Sequence, residues 1–165
     1  MNPIFTRTSI RSWLTKPVEE DKIEQLLRAA MQAPSAGNQQ PWEFYVVTDK
    51  KKLRELSEVS PFAGCTAKAP AAIVIVYRKN GLRFPIMADI DCAIATENIW
   101  LEMEELGLGG VMLGIAPVDD RMKKTADILQ LSDDYAPFTI IPFGYPEQSK
   151  PQQDRYDKSR IHYIG

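Results

Sequence analysis

Between Val18 and Ala33 apolar residues recur at helical spacing, with Ile23, Leu26, Leu27, Ala30 and Met31 on one face and acidic Glu19, Glu20 and Asp21 at the positive end of the helix dipole. This predicts an amphipathic helix ended by Pro34. From Trp42 to Thr48 the period changes, and aromatic and β-branched residues crowd together as a strand requires. A short polar helix is expected from about Lys50 to Val59. Ala71 to Tyr77 is a continuous apolar run of strand length, the pattern of a central strand covered on both faces.

After an Arg78-Lys79-Asn80-Gly81 turn, Pro85 to Leu106 predicts the longest helix. Its Ile86, Ile90, Ile94, Trp100, Leu101 and Met103 spread around the axis, which implies cover from several sides. Gly109 to Ile115 reads as a strand, Asp119 to Leu131 as a helix opened by two aspartates, and Phe138 to Gly144 as a further strand. Such alternation implies a layered α/β or α+β domain. From Glu147 to Arg160 the chain is polar and orders only if docked, for which Ile161, Tyr163 and Ile164 offer the apolar side chains.

At 165 residues the chain suits one domain, residues 1–165, burying roughly 70% of its unfolded surface. A net charge of −2 argues against a general nucleic-acid or anionic-membrane surface. There is no basic leader followed by an apolar run, and no stretch approaching the roughly 18 apolar residues of a membrane span, so a cytoplasmic protein is expected. Cys65 and Cys92 lack CxxC spacing and read as buried reduced thiols.

Chemistry concentrates in two stretches. Arg7-Thr8-Ser9-Ile10-Arg11 sets two guanidinium forks and two hydroxyls close together, which suits a phosphate and a polar ring edge. Pro34-Ser35-Ala36-Gly37-Asn38-Gln39-Gln40-Pro41 is a turn-rich loop able to present small donors before Trp42, itself expected in the strand core, begins a strand. A third stretch, Gly107 to Gly114, lacks the third glycine of a dinucleotide fingerprint because Met112 stands there, and it runs from helix into strand. His162 is the only histidine, too little for a catalytic constellation. Asp89, Asp91, Glu97, Glu102, Glu104 and Glu105 on the long helix read as its solvated or capping face, and no metal is expected.

In these motifs, together with the closing Lys158-Ser159-Arg160, the chain resembles the nitroreductase family of FMN-dependent oxidoreductases over nearly its whole length. The resemblance implies an α+β fold: a mixed, mainly antiparallel sheet flanked by helices. It also implies a homodimer with FMN at the interface and a C-terminal arm exchanged between subunits, where Ile161 and Tyr163 would extend the partner's sheet. Arg7, Ser9, Lys158 and Arg160 then correspond to the phosphate ligands, with Thr8 beside them, and Arg11 to a cation at the pyrimidine edge, where reduction leaves negative charge. Pro34, Ser35, Ala36 and Asn38 correspond to a loop reaching a flavin held mainly by the other subunit. Met112, Leu113, Gly114 and Ile115 match the strand end passing the ring, Gly114 being the closest match to the backbone donor at N5.

The implied reaction is ping-pong: NADH or NADPH reduces the flavin, and a nitroaromatic or quinone then takes the electrons. No side chain is implied as general acid or base. The short Arg78 to Phe84 segment, where relatives insert lid elements, implies an open site, and Phe62-Ala63-Gly64-Cys65 lacks the polar pair many members use at the pyrimidine. Two other classes stay open: a non-catalytic flavin carrier or redox sensor, and a cofactor-free module whose basic tail binds an acidic partner.

Overall fold

The computed structural model describes residues 2–165. At its centre β2 (Ala71–Arg78) and β5 (Tyr135–Gly144) run antiparallel, Ala71 opposite Phe143 and Arg78 opposite Tyr135. β1 (Trp42–Val47) pairs along the outer side of β2, while β3 (Gly109–Gly110) and β4 (Leu113–Gly114) both pair β5. Among the described residues all these ladders are antiparallel, in keeping with the mainly antiparallel sheet expected. The cause is connectivity: the link from β1 to β2 leaves and returns at one end of the sheet, where Val47 faces Ala72.

β5 starts earlier than its apolar pattern suggests. Pro137 cannot donate to a ladder and discourages a strand assignment, but it sits opposite Val76, where a register shift between Ile75 and Val76 tolerates it. The glycine-rich stretch is two short strands rather than one, interrupted at Val111 and Met112.

The helices are α1 (Pro3–Thr6), α2 (Glu20–Met31), α3 (Lys50–Ser57), α4 (Ala88–Glu105) and α5 (Asp119–Leu129). α1 is a single turn that the apolar pattern does not announce: the Asn2 side chain accepts from Ile4 N–H at 3.1 Å, and Pro3 opens the helix. On one face of the sheet, Leu26 and Ala30 of α2 and Cys92, Ala95, Ile99 and Met103 of α4 meet Ile73, Ile75, Ile141 and Phe143. On the other, Leu53 and Leu56 of α3 meet Ala72, Val74, Val76 and Ile140. β2 is thus buried on both sides, as its unbroken apolar run requires.

Cover of α4 is incomplete within the chain. Ile86, in the turn preceding it, is 88% exposed, and Ile90, Ile4 and Phe5 are exposed as well. The C-terminal arm is pinned at its root, where Glu147 N–H donates to Ser12 O at 3.1 Å and the Ser12 hydroxyl donates to the Glu147 carboxylate. Beyond that it is exposed throughout. Tyr163 and Ile164 are 88% and 99% exposed and do not dock on their own chain, whereas Ile161, at 38%, is partly covered.

Candidate functional site

The N-terminal segment crosses the sheet edge at the two glycines of β3. Ile10 N–H donates to Gly110 O at 2.9 Å and the Trp13 indole donates to Gly109 O at 2.7 Å. A Cβ on Gly109 would stand 2.6 Å from Ile10 Cγ1, and one on Gly110 would stand 2.8 Å from Pro142 O. Gly109 therefore makes room for the Ile10 side chain of the crossing segment, and Gly110 for the packing of β5 and Met103.

The crossing fixes where Arg7 lands. Its guanidinium lies 4.1 Å from the centroid of the Trp100 ring, and its Nε is 3.6 Å from Glu97 Oε1. The side chain is only 15% exposed. Among the described residues, neither of its two terminal nitrogens makes a hydrogen bond. Thr8 and Ser9 are half-buried, and Ser9 O accepts from Lys150 Nζ at 2.6 Å. Arg11 is exposed beside Cys65, whose thiol is raised by burial while the Arg11 charge opposes the rise.

The loop from Pro34 to Gln40 is tightly determined. Gly37, Asn38 and Gln40 have φ of 57°, 54° and 45°, in the left-handed region. Ser35 Oγ accepts from Gln40 N–H at 3.0 Å, and Asn38 Oδ1 accepts from the Gln40 amide at 2.9 Å, so both side chains serve the turn. Asp91 is 2% exposed, and its carboxylate accepts from Ala36 N–H at 2.9 Å and from Gln39 Nε2 at 2.7 Å. This corrects the reading of Asp91 as part of a solvated or capping face: it is turned inward, where the loop supplies its donors. Gln39 also bonds both Phe84 N–H and Phe84 O, tying the loop to the segment before α4.

Leu113 and Ile115 send their side chains into the core, and Met112 is half-buried against it. Gly114 is exposed, with no atom within 4 Å of where a Cβ would be, so an open face lies over its backbone. Its carbonyl accepts from Arg121 at 2.9 Å, and the Arg121 guanidinium lies 5.7 Å from the Phe62 ring centroid. The Phe62 to Cys65 segment therefore joins the neighbourhood of Gly114 to that of Arg11. Trp100, Glu97, Arg121 and Asp91 are contributors that the motifs do not disclose. Only the i, i+3 spacing of Glu97 and Trp100 hints that they share a helix face.

The chain ends meet in part. A cleft of about 460 Å³ lies between the N-terminal segment, including Arg7 and Thr8, and Gln152 to Tyr156 of the arm. Lys158 and Arg160 do not line it. They sit in a 3-10 turn capped by Asp157, which accepts from Ser159 N–H at 3.0 Å and from Arg160 Nε at 3.1 Å. The Ser159 hydrogen bonds, with Arg160 adding to them, hold the Asp157 carboxyl below its ordinary range. His162 is exposed. Among the described residues no helix is long and apolar enough to cross a membrane, and no three His, Cys, Asp or Glu residues group as metal ligands would.

Three features mark the site: the largely buried Arg7 guanidinium on Trp100, an exposed cation at Arg11, and a bare backbone face at Gly114. A family model described as "Nitroreductase family" matches residues 4–61 and 62–145. A protein of Archaeoglobus fulgidus, provisionally named NADH dehydrogenase/NAD(P)H nitroreductase, is 40% identical over 96% of this chain and 94% of its own length. The crystal structure of a provisionally named NADH oxidase from Clostridium acetobutylicum superposes with a TM-score of 0.95 at 46% identity, covering 97% of each chain. That of an FMN-dependent nitroreductase from Clostridium difficile superposes with a TM-score of 0.93 at 29% identity, covering 99% of this chain and 98% of the other.

Proposed function

The chain belongs to the nitroreductase family, and we propose that its 165 residues form one FMN-binding domain of an NAD(P)H-dependent flavin oxidoreductase working as a homodimer. The observation that carries this reading is Arg7, held on Trp100 and Glu97 at the mouth of a cleft, its terminal nitrogens without a hydrogen bond among the described residues. A phosphate accepts both N–H groups of such a fork. The relatives' names, which include NAD(P)H nitroreductase and FMN-dependent nitroreductase, support the same cofactor and donor.

Arg7 and Ser9 hold the phosphate, joined by Lys158 and Arg160 once the arm is ordered against a second subunit. Arg11 stands at the pyrimidine edge, where a fixed cation lowers the cost of added electrons. The Gly114 backbone offers its N–H to the reactive nitrogen, and the open surface above it lets two substrates use one face in turn. The Pro34 to Asn38 loop closes the site from the partner side. FMN held by these residues would supply the redox chemistry, with NADH or NADPH as hydride donor and a nitroaromatic or quinone as the class of acceptor.

A visible spectrum of the purified protein, followed by anaerobic titration with each reduced nicotinamide, tests the reading. A yellow protein bleached by NADH or NADPH and recoloured by a quinone is expected. A protein that stays yellow under both donors would be a carrier, and one that stays colourless with excess FMN would sink the cofactor assignment.

A further inference from the structure

We propose that Trp100 is a positioning residue for cofactor phosphate, acting through Arg7 to set selectivity for FMN over unphosphorylated riboflavin; this rests on the reading of Arg7 as a phosphate ligand. The indole does two things at once. Its face carries the Arg7 guanidinium at 4.1 Å, and its Nε1–H donates to Gly110 O at 3.1 Å. That same carbonyl accepts from Ile10 N–H at 2.9 Å. The peptide bearing Arg7 and the surface on which its side chain rests are therefore registered against a single oxygen atom.

The oxygen is itself held in place. A Cβ on Gly110 would meet Pro142 O at 2.8 Å and Met103 Sδ at 2.9 Å, so the backbone there has no slack. Glu97, one turn before Trp100, takes the Nε edge of Arg7 at 3.6 Å and is itself 51% exposed. Held by its face and one edge, the guanidinium keeps its two terminal nitrogens for an incoming anion. An arginine ordered before binding loses less rotamer freedom on meeting a phosphate than one ordered by it. Without the indole, the fork can swing onto the Glu97 carboxylate and spend both N–H groups there.

Riboflavin shares the ring and ribityl chain with FMN but not the phosphate, so the ratio of the two affinities isolates this contact from general damage to the site. Apoprotein is titrated with each flavin, following fluorescence quenching, for the unaltered chain, Arg7→Ala, Trp100→Leu, Trp100→Phe and the double variant. Arg7→Ala should cut the preference for FMN by about tenfold or more, the loss expected for a charged hydrogen bond. Trp100→Leu should reproduce most of that loss while riboflavin affinity holds, and Trp100→Phe, which keeps a ring but loses the N–H, should fall between. The double variant should lose no more than Arg7→Ala alone, since both act through one contact.

If Trp100→Leu weakens FMN and riboflavin equally, or if the double variant loses the sum of the two, Trp100 is merely structural and the inference fails. Should the leucine variant not fold, Trp100→Phe decides: an unchanged preference overturns the proposal. If Arg7→Ala itself leaves the preference unchanged, the phosphate assignment fails first, and that outcome is told apart by the Arg7 variant alone.

Discussion

Asp91 Oδ1 lies 2.9 Å from the backbone nitrogen of Ala36, so a buried carboxylate on the first turn of α4 clamps the loop that leads from α2 into β1. Its other oxygen takes Gln39 Nε2, and Arg78 donates to the carbonyls of Gln40, at 2.8 Å, and Gln39. A loop with consecutive left-handed residues persists because its surroundings over-determine it.

Removing the clamp should therefore cost more than an exposed hydrogen bond. Asp91→Ala leaves the Ala36 N–H without its acceptor and the Gln39 amide with Phe84 O alone, and is expected to destabilise by about 2–3 kcal/mol. Asp91→Asn, which keeps one acceptor oxygen, should lose less. Urea unfolding of both variants measures this, and a loss within experimental error for the alanine variant would mean that the loop is held by other contacts.

Gly37 meets two obstacles to substitution. With φ of +57°, alanine pays the left-handed cost of about 1–2 kcal/mol, and its Cβ would stand 2.7 Å from Phe84 Cε2. Gly37→Ala should destabilise, and adding Phe84→Ala should relieve the clash while the backbone cost stays. Thermal melts of the single and double variants separate the two contributions, because a double variant no better than the single would leave the Phe84 ring with no part in the effect.

What the sequence discloses of this architecture follows the range over which each cause acts. β2 is legible because consecutive residues alternate between two cores, Ile73 and Ile75 to one and Val74 and Val76 to the other. α2 is legible for the same reason at helical period. The start of β5 is not, because Pro137 is acceptable only where a bulge in a distant strand meets it. Asp91 looks like any acidic helix residue until a loop 55 positions away supplies the donor. Arg7 is legible as a basic residue in a motif, but its partners Glu97 and Trp100 are set by how the N-terminal segment crosses β3. The arm is legible only as polar sequence, since nothing in its own chain covers its end.

Alkaline pH should act through Tyr77. Burial, with the Asp89 carboxylate adding to it, pushes its hydroxyl from 10.0 up to about 12. The folded state therefore keeps this proton after the unfolded chain has lost it. The resulting stability is fully present below about pH 10 and is lost as pH rises through about 12. A spectrophotometric titration should show a late phase, to which Tyr135 also contributes because its hydrogen bond to Glu43 raises it, and Tyr77→Phe should shrink that phase.

Cysteine alkylation reports on Arg11. Burial raises the Cys65 thiol and the Arg11 charge partly offsets it, so Arg11→Ala should raise it further and slow alkylation at fixed mildly alkaline pH. Cys92, fully buried in the core with its thiol raised by burial, should stay unlabelled until the chain unfolds. Mass spectrometry after timed labelling with iodoacetamide distinguishes the two sites. Faster labelling of Cys65 in the Arg11 variant would show that exposure, not charge, governs the thiol.

The last prediction concerns the arm. Residues 151–165 are all exposed, with Tyr163 and Ile164 almost fully so, while Ile86 before α4 and Ile90 on it stay exposed too. In the dimer proposed above, joining them across two copies would remove apolar area from water, a gain of about 25 cal/mol per Å². Deleting 151–165 keeps the Ser9 to Lys150 and Ser12 to Glu147 anchors and leaves both core clusters intact. The shortened chain should therefore keep its circular dichroism spectrum, yet show half the mass by light scattering and lose bound flavin, because Lys158 and Arg160 leave with the arm. A shortened chain that stays dimeric and yellow would show that neither the interface nor the phosphate contacts need the arm, and the assignment of Lys158 and Arg160 as ligands would fall with it.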